Sequence, residues 1–263
     1  MNLAEYEKLF PRVKLQLAGK ELVFYTPTQF IAWRAKTLLT KEPTTIEWID
    51  TMSPGERLLD IGANVGGYTV YAARLRGVGV DAIEPEAQNF AILCRNVQLN
   101  KVAEHVRCWP IAVSDRTCFD QLYLSDDRPG GSCHSFGEEV DFRLQPKKFP
   151  LRQGCYATTV DALVSAGVIS PPDYIKLDVD GLEPKVIAGA LETLRGGGVK
   201  SLSIEVNPSV EQHRALVSTL EDLGFVADAA QVERARRKSG TFEGVAEYIF
   251  VNQSHRPREV EAA

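Results

Sequence analysis

Long apolar runs are missing from this sequence, and none reaches the roughly 18 residues that a membrane-spanning helix needs. The opening residues, MNLAEYEKLFPR, also lack the basic start and apolar centre of a secretory signal peptide. We therefore expect a cytoplasmic protein without a membrane span.

Cysteine is scarce and scattered. The chain has five cysteines, an odd number, and none of them forms a C-x-x-C pair. This spacing indicates neither a disulfide framework nor a zinc site. We expect reduced thiols, and we assign no residue as a metal ligand.

An excess of basic residues is missing as well. Lysine and arginine number 30 against 35 acidic residues, for a net charge of −5, so bulk charge predicts no nucleic-acid partner. The lone basic run, residues 234–238, is interpreted as a solvated loop or helix face and not as a phosphate patch. With 263 residues, 44% of them hydrophobic, the chain is long enough for one main domain around a large core.

The nicotinamide-binding fingerprint G-x-G-x-x-G is absent from the glycine-rich turn at residues 62–67. The turn instead reads G-x-N-x-G-G, and it follows an apolar strand that carries Asp60 near its end. A carboxylate at this place would repel the phosphates that a helix N-terminus otherwise attracts. The pattern favours a ligand with a cationic group.

A second acid, Glu84, follows the next apolar strand, residues 80–83. In a doubly wound sheet, an acid at this place can accept hydrogen bonds from both hydroxyls of a ribose. Asp60 suits the ammonium of a methionine moiety and Glu84 suits the ribose of an adenosine. Together the two acids predict S-adenosylmethionine as the ligand, although either one alone could be a helix cap or a turn residue.

Strand and helix patterns alternate from residue 57 onward, which predicts an α/β fold with a doubly wound, mostly parallel sheet. The predicted strands cover residues 57–62, 80–83, 106–113, 174–178 and 200–206. The predicted helices cover residues 67–75, 88–99, 160–166, 184–194 and 210–223. The final strands, 225–228 and 246–251, are separated by a charged loop without a crossover helix, so we expect them to be antiparallel.

Residues 1–54 precede this alternation as part of the same domain. Their pattern of apolar and polar residues predicts a hairpin at residues 13–25 and two helices at residues 29–39 and 44–52. We expect these helices to cover the ligand.

The main domain is expected over residues 55–252, with a frayed tail at 253–263. The alternation of strands and helices stops at residues 114–156. We interpret these residues as an insertion over the binding face, on the side where an acceptor of the methyl group would bind. The glycines at residues 130–131 suit either a hinged lid or an ordinary flexible connection.

Four motifs resemble the FkbM family of S-adenosylmethionine-dependent methyltransferases. They are LLDIGANVGGYTVYAA from residue 58, IEP from residue 83, IAVSD from residue 111 and YIKLDVDGLEPKVIAGA from residue 174. The resemblance covers roughly residues 55 to 210. It implies a seven-stranded, Rossmann-like methyltransferase sheet, and transfer of a methyl group usually to a hydroxyl oxygen. It also implies an acceptor that is often a sugar, a glycan or a secondary metabolite.

The resemblance also implies roles for particular residues. The expected contacts at the methionine end of the cofactor are Asp60, Gly62, Ala63, Asn64, Tyr68 and Thr69. Glu84 would bind the ribose, and Ala112 with Val113 would form the adenine wall. Asp178 would face the sulfonium and the acceptor. The family's last motif usually reads D-V-E-G-x-E, whereas this chain has the shorter Asp180 at its third position.

Removing a proton from an acceptor hydroxyl calls for a general base. Asp180 and Glu183 are the leading candidates, because Asp178 and Asp180 would share one side of an extended segment. Glu205 could join this cluster, and His134 is another candidate base. The alternative is structural, with Asp180 capping the next helix and Glu183 interacting with its dipole. Three or four carboxylates could also hold magnesium, although no ligand spacing demands it.

The aromatic residues and the overall activity each have more than one interpretation. Trp33, Trp48, Tyr71 and Trp109 could stack on an acceptor, but core packing is the preferred interpretation. A nucleotide-dependent oxidoreductase and a non-catalytic cofactor-binding module are the alternative functions. The sequence predicts a small-molecule partner and does not predict the methylated atom or the oligomeric state.

Overall fold

The computed structural model describes residues 2–255. Residues 256–263, most of the predicted tail, lie outside the described residues, and Gln253–His255 form a short 3-10 helix. Within the described range, every helix is too short or too polar to span a bilayer.

The strands of the described chain are numbered in sequence order. They are β1 (Arg12–Leu17), β2 (Lys20–Tyr25), β3 (Arg57–Ile61), β4 (Gly79–Ile83), β5 (Val106–Trp109), β6 (Ala112–Val113), β7 (Cys118–Leu124), β8 (Ser135–Phe136), β9 (Leu151–Thr158), β10 (Tyr174–Leu177), β11 (Ser201–Val206), β12 (Phe225–Ala227) and β13 (Ala246–Asn252).

The α-helices are numbered in the same way. They are α1 (Leu3–Lys8), α2 (Gln29–Lys36), α3 (Pro43–Asp50), α4 (Gly67–Tyr71), α5 (Ala87–Leu99), α6 (Val160–Ser165), α7 (Glu183–Ala188), α8 (Leu191–Arg195), α9 (Glu211–Asp222) and α10 (Ala229–Ala235). A π-helical turn, Ala72–Arg76, continues α4.

Seven strands form the central sheet in the order β12-β13-β11-β10-β3-β4-β5. All neighbours are parallel except β13, which is antiparallel to β11 and β12. The predicted fold class is confirmed: an α/β, doubly wound, mostly parallel seven-stranded sheet with an antiparallel last strand. The apolar runs at β3, β10 and β11 are buried because helices cover both faces of such a sheet.

The two faces of the sheet carry separate hydrophobic clusters. Leu58 and Val80 point to one face, where they pack with residues of α3 and α4. Leu59 and Ile175 point to the other face, toward residues of α6, α7 and α9. Because side chains alternate along a strand, Asp60 lies on the same face as Leu58. This assignment decides what Asp60 contacts.

Three predicted elements differ from the structure for identifiable reasons. The strand predicted at 106–113 is interrupted by Pro110, which has no N–H to donate, and β6 then leaves the central sheet. The helix predicted at 184–194 is divided at Gly189, where a Cβ would lie 2.2 Å from the carbonyl oxygen of Ser114. The charged loop before β13 contains α10, whose N-terminus is capped by the side chain of Asp228.

The predicted insertion at residues 114–156 forms most of a second sheet, whose strand order is β6-β9-β7-β8. Strand β7 is antiparallel to β8 and β9, and β6 is parallel to β9. At the other end of the chain, β1 and β2 form the predicted hairpin, followed by α2 and α3. The second sheet and α2 both supply walls of the cavity described next.

Candidate active site

A cavity of about 560 Å³ lies at the carboxyl ends of the central strands. Residues that follow β3, β4 and β10 line it, together with residues of β6 and α2. Parallel strands place their carboxyl ends at the same edge of a sheet, which is where ligands bind in open α/β folds. The sequence-predicted residues that line it are Gly62, Asn64, Glu84, Ala112, Val113, His134, Asp178, Asp180 and Glu205.

The glycine-rich turn brings backbone close to the cavity. Gly62 has a φ of +80°, and a Cβ on it would lie 1.9 Å from the carbonyl oxygen of Asp178. Only glycine fits such an approach. Asn64, with a φ of +50°, donates from its side chain to the Gly131 carbonyl at 2.7 Å. The turn therefore links the end of β3 to the loop that covers the cavity.

Glu84 is 5% exposed and lines the cavity. The backbone N–H of Asn64 donates to its Oε2 at 2.7 Å, and that of Glu86 donates to its Oε1 at 2.9 Å. Burial raises the pKa of Glu84 to about 7 despite these hydrogen bonds. The two donors fix the carboxylate, whose remaining lone pairs can accept from a ligand.

Asp60 is 1% exposed and is not part of the cavity wall. Thr69 Oγ1 donates to its Oδ2 at 2.6 Å, and Lys176 Nζ lies 4.0 Å from its Oδ1. No group among residues 2–255 donates a hydrogen bond to that Oδ1. Asp60 thus joins a buried polar cluster behind the glycine-rich turn, and burial raises its pKa.

Three other residues predicted at the methionine end are also outside the wall. Ala63 donates its N–H to the Ile83 carbonyl at 3.0 Å. Thr69 is held by Asp60 through the hydroxyl contact given above. The hydroxyl of Tyr68 donates to Glu42 Oε2 at 2.7 Å, and Lys176 Nζ lies 5.2 Å from the centre of its ring.

Lys176 connects this buried cluster to the cavity. Its register partner across the sheet is Asp60, and its Nζ lies 3.3 Å from Asp178 Oδ2. Burial alone would raise the pKa of Asp178, but Lys176, Lys41 and Arg237 outweigh it and lower that pKa. Asp178 therefore faces the cavity as a carboxylate.

Asp180 lies in a turn and not in the extended segment that the sequence predicted. Strand β10 ends at Leu177, and Asp180 has a φ of +55°. The N–H of Cys133 donates to its Oδ2 at 2.6 Å, and α7 has no side-chain cap, so Asp180 is not a helix cap. Burial and then the charge of Asp178 raise the pKa of Asp180 to about 6.

Glu183, the second predicted base, is 0% exposed and does not line the cavity. The N–H of Val179 donates to its Oε1 at 2.9 Å, and that of Gly181 donates to its Oε2 at 3.0 Å. His213 Nε2 lies 3.6 Å away. These contacts give Glu183 a role in holding the turn around Asp180.

Glu205 lines the cavity and pairs with Arg237, whose Nη2 lies 2.7 Å from its Oε2. The same Nη2 lies 2.8 Å from Glu247 Oε1 and 3.5 Å from Glu42 Oε1. The interpretation of residues 234–238 as a solvated segment is therefore wrong for Arg237. The folded chain brings this guanidinium to three carboxylates that sequence spacing does not connect.

His134 lines the cavity at the end of the 126–134 loop. The N–H of Ser125 donates to its Nδ1 at 3.2 Å, so the neutral ring carries its proton on Nε2. Burial lowers the pKa of His134. With Nδ1 already used and Nε2 protonated, the ring is a better hydrogen-bond donor than a base.

The 126–134 loop, predicted as a lid or a flexible connection, is attached on several sides. Asn89 donates to the Gly131 carbonyl at 3.1 Å and accepts from the Gly130 N–H at 2.7 Å. Arg34 Nε donates to the Gly130 carbonyl at 2.7 Å. These contacts hold the loop between α2, α5 and the glycine-rich turn.

The aromatic predictions have mixed outcomes. Trp48 and Tyr71 are buried in the core, and the partly buried Trp109 packs beside it, as predicted. The prediction is wrong for Trp33, which is 45% exposed and lines the cavity. Phe30, one turn earlier on α2, stacks against Trp33 with ring centres 5.6 Å apart.

No group of three or more metal-ligating side chains among residues 2–255 is arranged to hold a metal ion. Asp178 and Glu205 have Lys176 and Arg237 as basic partners, but burial and then the charge of Asp178 raise the pKa of Glu205 despite Arg237. Sequence reasoning missed both of these cations. A lysine inside the apolar run YIKL was a visible signal, whereas nothing local marked Arg237.

A profile of the methyltransferase FkbM domain matches residues 60–227. No curated protein matches the chain. Precorrin-6y C5,15-methyltransferase from Geobacter metallireducens is a similar solved structure, with 14% identity, a TM-score of 0.43 and coverage of 87% of this chain and 93% of its own. Magnesium protoporphyrin IX methyltransferase from Synechocystis, solved with bound SAM, has 13% identity, a TM-score of 0.46 and coverage of 86% of both chains.

The matched segment spans more than half of the chain, from Asp60 to the end of β12. It includes the glycine-rich turn, Glu84 and the turn around Asp180. The chain therefore belongs to the FkbM family of S-adenosylmethionine-dependent methyltransferases.

Proposed function

We propose that this protein transfers the methyl group of S-adenosylmethionine to a hydroxyl oxygen of a small molecule, namely a sugar, a glycan or a secondary metabolite. The observation that carries the proposal is that one cavity contains both Glu84, suited to a ribose, and Asp180, suited to act as a base. Family membership supports the methyl transfer. The geometry supports the assignment of Glu84 to the cofactor and of Asp180 to the acceptor.

The residues present fit the cofactor. Because Gly62 has no side chain, the turn packs directly against the Asp178 carbonyl and offers backbone to the cavity. Glu84 is fixed by two backbone donors and can accept from a ribose, while the apolar Ala112 and Val113 form a wall suited to an adenine. The free Oδ1 of Asp60 lies behind the turn, so we propose an indirect role for Asp60, supporting the backbone that meets the methionine end.

When bound, S-adenosylmethionine supplies the methyl group and becomes S-adenosylhomocysteine. Asp180 accepts the proton of the acceptor hydroxyl as the oxygen–carbon bond forms. A carboxyl whose pKa is about 6 is mostly ionised at neutral pH and is still basic enough to take that proton. Asp178 and Glu205 would position the acceptor, and His134 would donate a hydrogen bond from Nε2.

The cavity that contains Asp180 supports a hydroxyl-rich acceptor. Its walls combine charged side chains, Glu205 and Arg237, with the aromatic rings of Trp33 and Phe242. Rings give flat apolar contact and charged groups bind hydroxyls. We retain the expectation of a cytoplasmic protein acting on small molecules and not on nucleic acid, supported by the five free cysteines and the negative net charge.

Glu84→Gln tests the cofactor site. The amide would point its NH₂ group at a backbone N–H, because both carboxylate oxygens already accept one. We expect the Kd for S-adenosylmethionine, measured by calorimetry at pH 8, to rise about 10- to 100-fold. The matched control is Glu104→Gln, an exposed carboxyl before β5 at the opposite end of the strands.

Equal affinity in Glu84→Gln and wild type would contradict the assigned site. Stabilisation of the wild type by NAD but not by S-adenosylhomocysteine would favour an oxidoreductase. Binding of S-adenosylmethionine without label transfer to any compound in an extract of the source cells would indicate a non-catalytic module. Mass spectrometry of a labelled product would identify the methylated atom.

A further inference from the structure

One face of helix α2 lines the cavity. Phe30, Trp33 and Arg34 are spaced three and four residues apart, which places them side by side on a helix. Ile31 and Ala35 lie on the opposite face and are buried in the core. These core contacts fix the orientation of α2 and so hold Phe30, Trp33 and Arg34 toward the cavity.

Arg34 differs from the other lysine and arginine side chains in the described cavity wall. Lys41 lies 2.5 Å from Glu42, and Arg237 lies 2.7 Å from Glu205. The side chain of Arg34 makes one hydrogen bond within residues 2–255, from Nε to the Gly130 carbonyl, and forms no salt bridge there. Its two Nη groups remain available to a ligand.

Arg34 and the candidate base are attached to the same loop. Arg34 donates to the Gly130 carbonyl at 2.7 Å, and the N–H of Cys133, three residues later, donates to Asp180 Oδ2 at 2.6 Å. Both side chains line the one cavity, and the positive charge of Arg34 opposes the rise in the pKa of Asp180. The acids of this region do not compete for Arg34, because Asp178 has Lys176 and Glu205 has Arg237. Within the described residues, Arg34 forms no salt bridge, and it lines the same cavity as the candidate base Asp180.

The surroundings of Arg34 fit a bound anion. Its guanidinium carbon lies 5.0 Å from the centre of the Phe30 ring, and Phe30 stacks on Trp33. A guanidinium held by a hydrogen bond at Nε and by a ring beside it keeps its Nη groups as a fork that matches a carboxylate or a phosphate. The exposed Trp33 extends the platform for an apolar part of the same molecule.

We propose that the acceptor carries an anionic oxygen group, a carboxylate or a phosphate, which binds the Nη groups of Arg34 while its hydroxyl faces Asp180. This inference rests on the proposed methyl transfer and deepens it by naming the acceptor's charge. Helix α2 precedes the matched residues 60–227, so this selectivity lies outside the shared domain.

The first test is label transfer from methyl-labelled S-adenosylmethionine into an extract of the source cells, followed by anion exchange at pH 8. We expect the labelled product to be retained on the resin. A labelled product in the flow-through overturns the inference and leaves the methyltransferase proposal intact. No labelled product in any fraction overturns both.

The second test uses that retained compound as the acceptor. Arg34→Gln should raise its KM about 10- to 100-fold, Arg34→Lys should raise it less, and neither should change the Kd for S-adenosylhomocysteine. The matched control is Arg128→Gln, because Arg128 stacks 4.1 Å from the Phe30 ring centre but pairs with Asp126 outside the cavity wall.

Two results would overturn the role of Arg34. One is an acceptor KM in Arg34→Gln that changes no more than in Arg128→Gln. The other is a rise in the Kd for S-adenosylhomocysteine equal to the rise in KM, because Arg34 would then act by holding the 126–134 loop through Gly130.

Discussion

At the scale of single residues, the turn after β10 gives Asp178 and Asp180 different surroundings. Asp178 faces Lys176 and keeps a low pKa, whereas burial and the charge of Asp178 raise the pKa of Asp180 to about 6. Because the pKa values of these two carboxyls shift in opposite directions, Asp178 is suited to positioning the acceptor and Asp180 to accepting a proton. Glu183 lies behind them and holds the backbone of the turn.

Asp180→Asn removes the proposed base and keeps the acceptor oxygen for the Cys133 N–H. We expect the rate of methyl transfer to fall about 10²- to 10⁴-fold, while the Kd for S-adenosylmethionine stays within about twofold. In the wild type, kcat/KM should fall as the pH drops through about 6, because the base must be unprotonated to accept a proton. A flat profile between about pH 5 and 8 would argue against Asp180 as the base.

At the scale of secondary-structure elements, the break between α7 and α8 allows two backbones to meet. A Cβ on Gly189 would lie 2.2 Å from the Ser114 carbonyl oxygen and 3.1 Å from Thr159 Cβ. The Gly189 carbonyl also accepts from the Asp161 N–H at 3.0 Å, at the start of α6. This contact ties the second sheet to the helices that follow β10.

Gly189→Ala should therefore destabilise the fold. The added methyl would force backbone apart, and we expect a loss of about 1–3 kcal/mol in the free energy of unfolding, measured in urea. Gly198→Ala is the matched control, since nothing lies within 4 Å of the place that its added methyl would take, and its change should stay within about 0.5 kcal/mol. Equal stability of the two variants would contradict the close contact.

At the scale of the whole molecule, the fold buries carboxyls that have no strong cationic partner. Burial raises the pKa of Glu84 to about 7 and that of Glu183 to about 8, from an ordinary value of 4.5. Between the ordinary and the folded values, the folded state holds more protons than the unfolded state. The stability that these two groups contribute is present below the ordinary pKa and is lost as the pH rises through the folded values.

The free energy of unfolding should accordingly decline from about pH 6.5 to 8.5. The buried neutral histidines, His134 and His213, do not oppose this decline, because their lowered pKa values affect stability only below about 6.5. Urea midpoints across this range measure the slope. Glu183→Gln should make the slope shallower without removing it, because burial also raises the pKa of Glu84, Glu205 and Glu247. The exposed Glu139→Gln should leave the slope unchanged, and a rising slope in the wild type would contradict this prediction.

Local sequence patterns were sufficient for the architecture. Alternating apolar strands and amphipathic helices predicted the parallel sheet, because periodicity records which side of each element is buried. The same patterns placed Glu84 and Asp178 at strand ends, and the cavity contains both. The predicted bounds were wrong where a single residue interrupted an element, as Pro110 interrupts the strand predicted at 106–113 and Gly189 the helix predicted at 184–194.

The sequence by itself determined the sheet, the glycine-rich turn and the acids that follow the strands, since each depends on neighbours along the chain. Only the tertiary structure decided that Asp60 pairs with Thr69 and Lys176 behind the turn, and that Arg34 and Arg237 reach the cavity from opposite ends of the chain. The reason is physical: hydrophobic periodicity is encoded locally, whereas the interaction of two charges depends on their distance in space and on the water excluded around them.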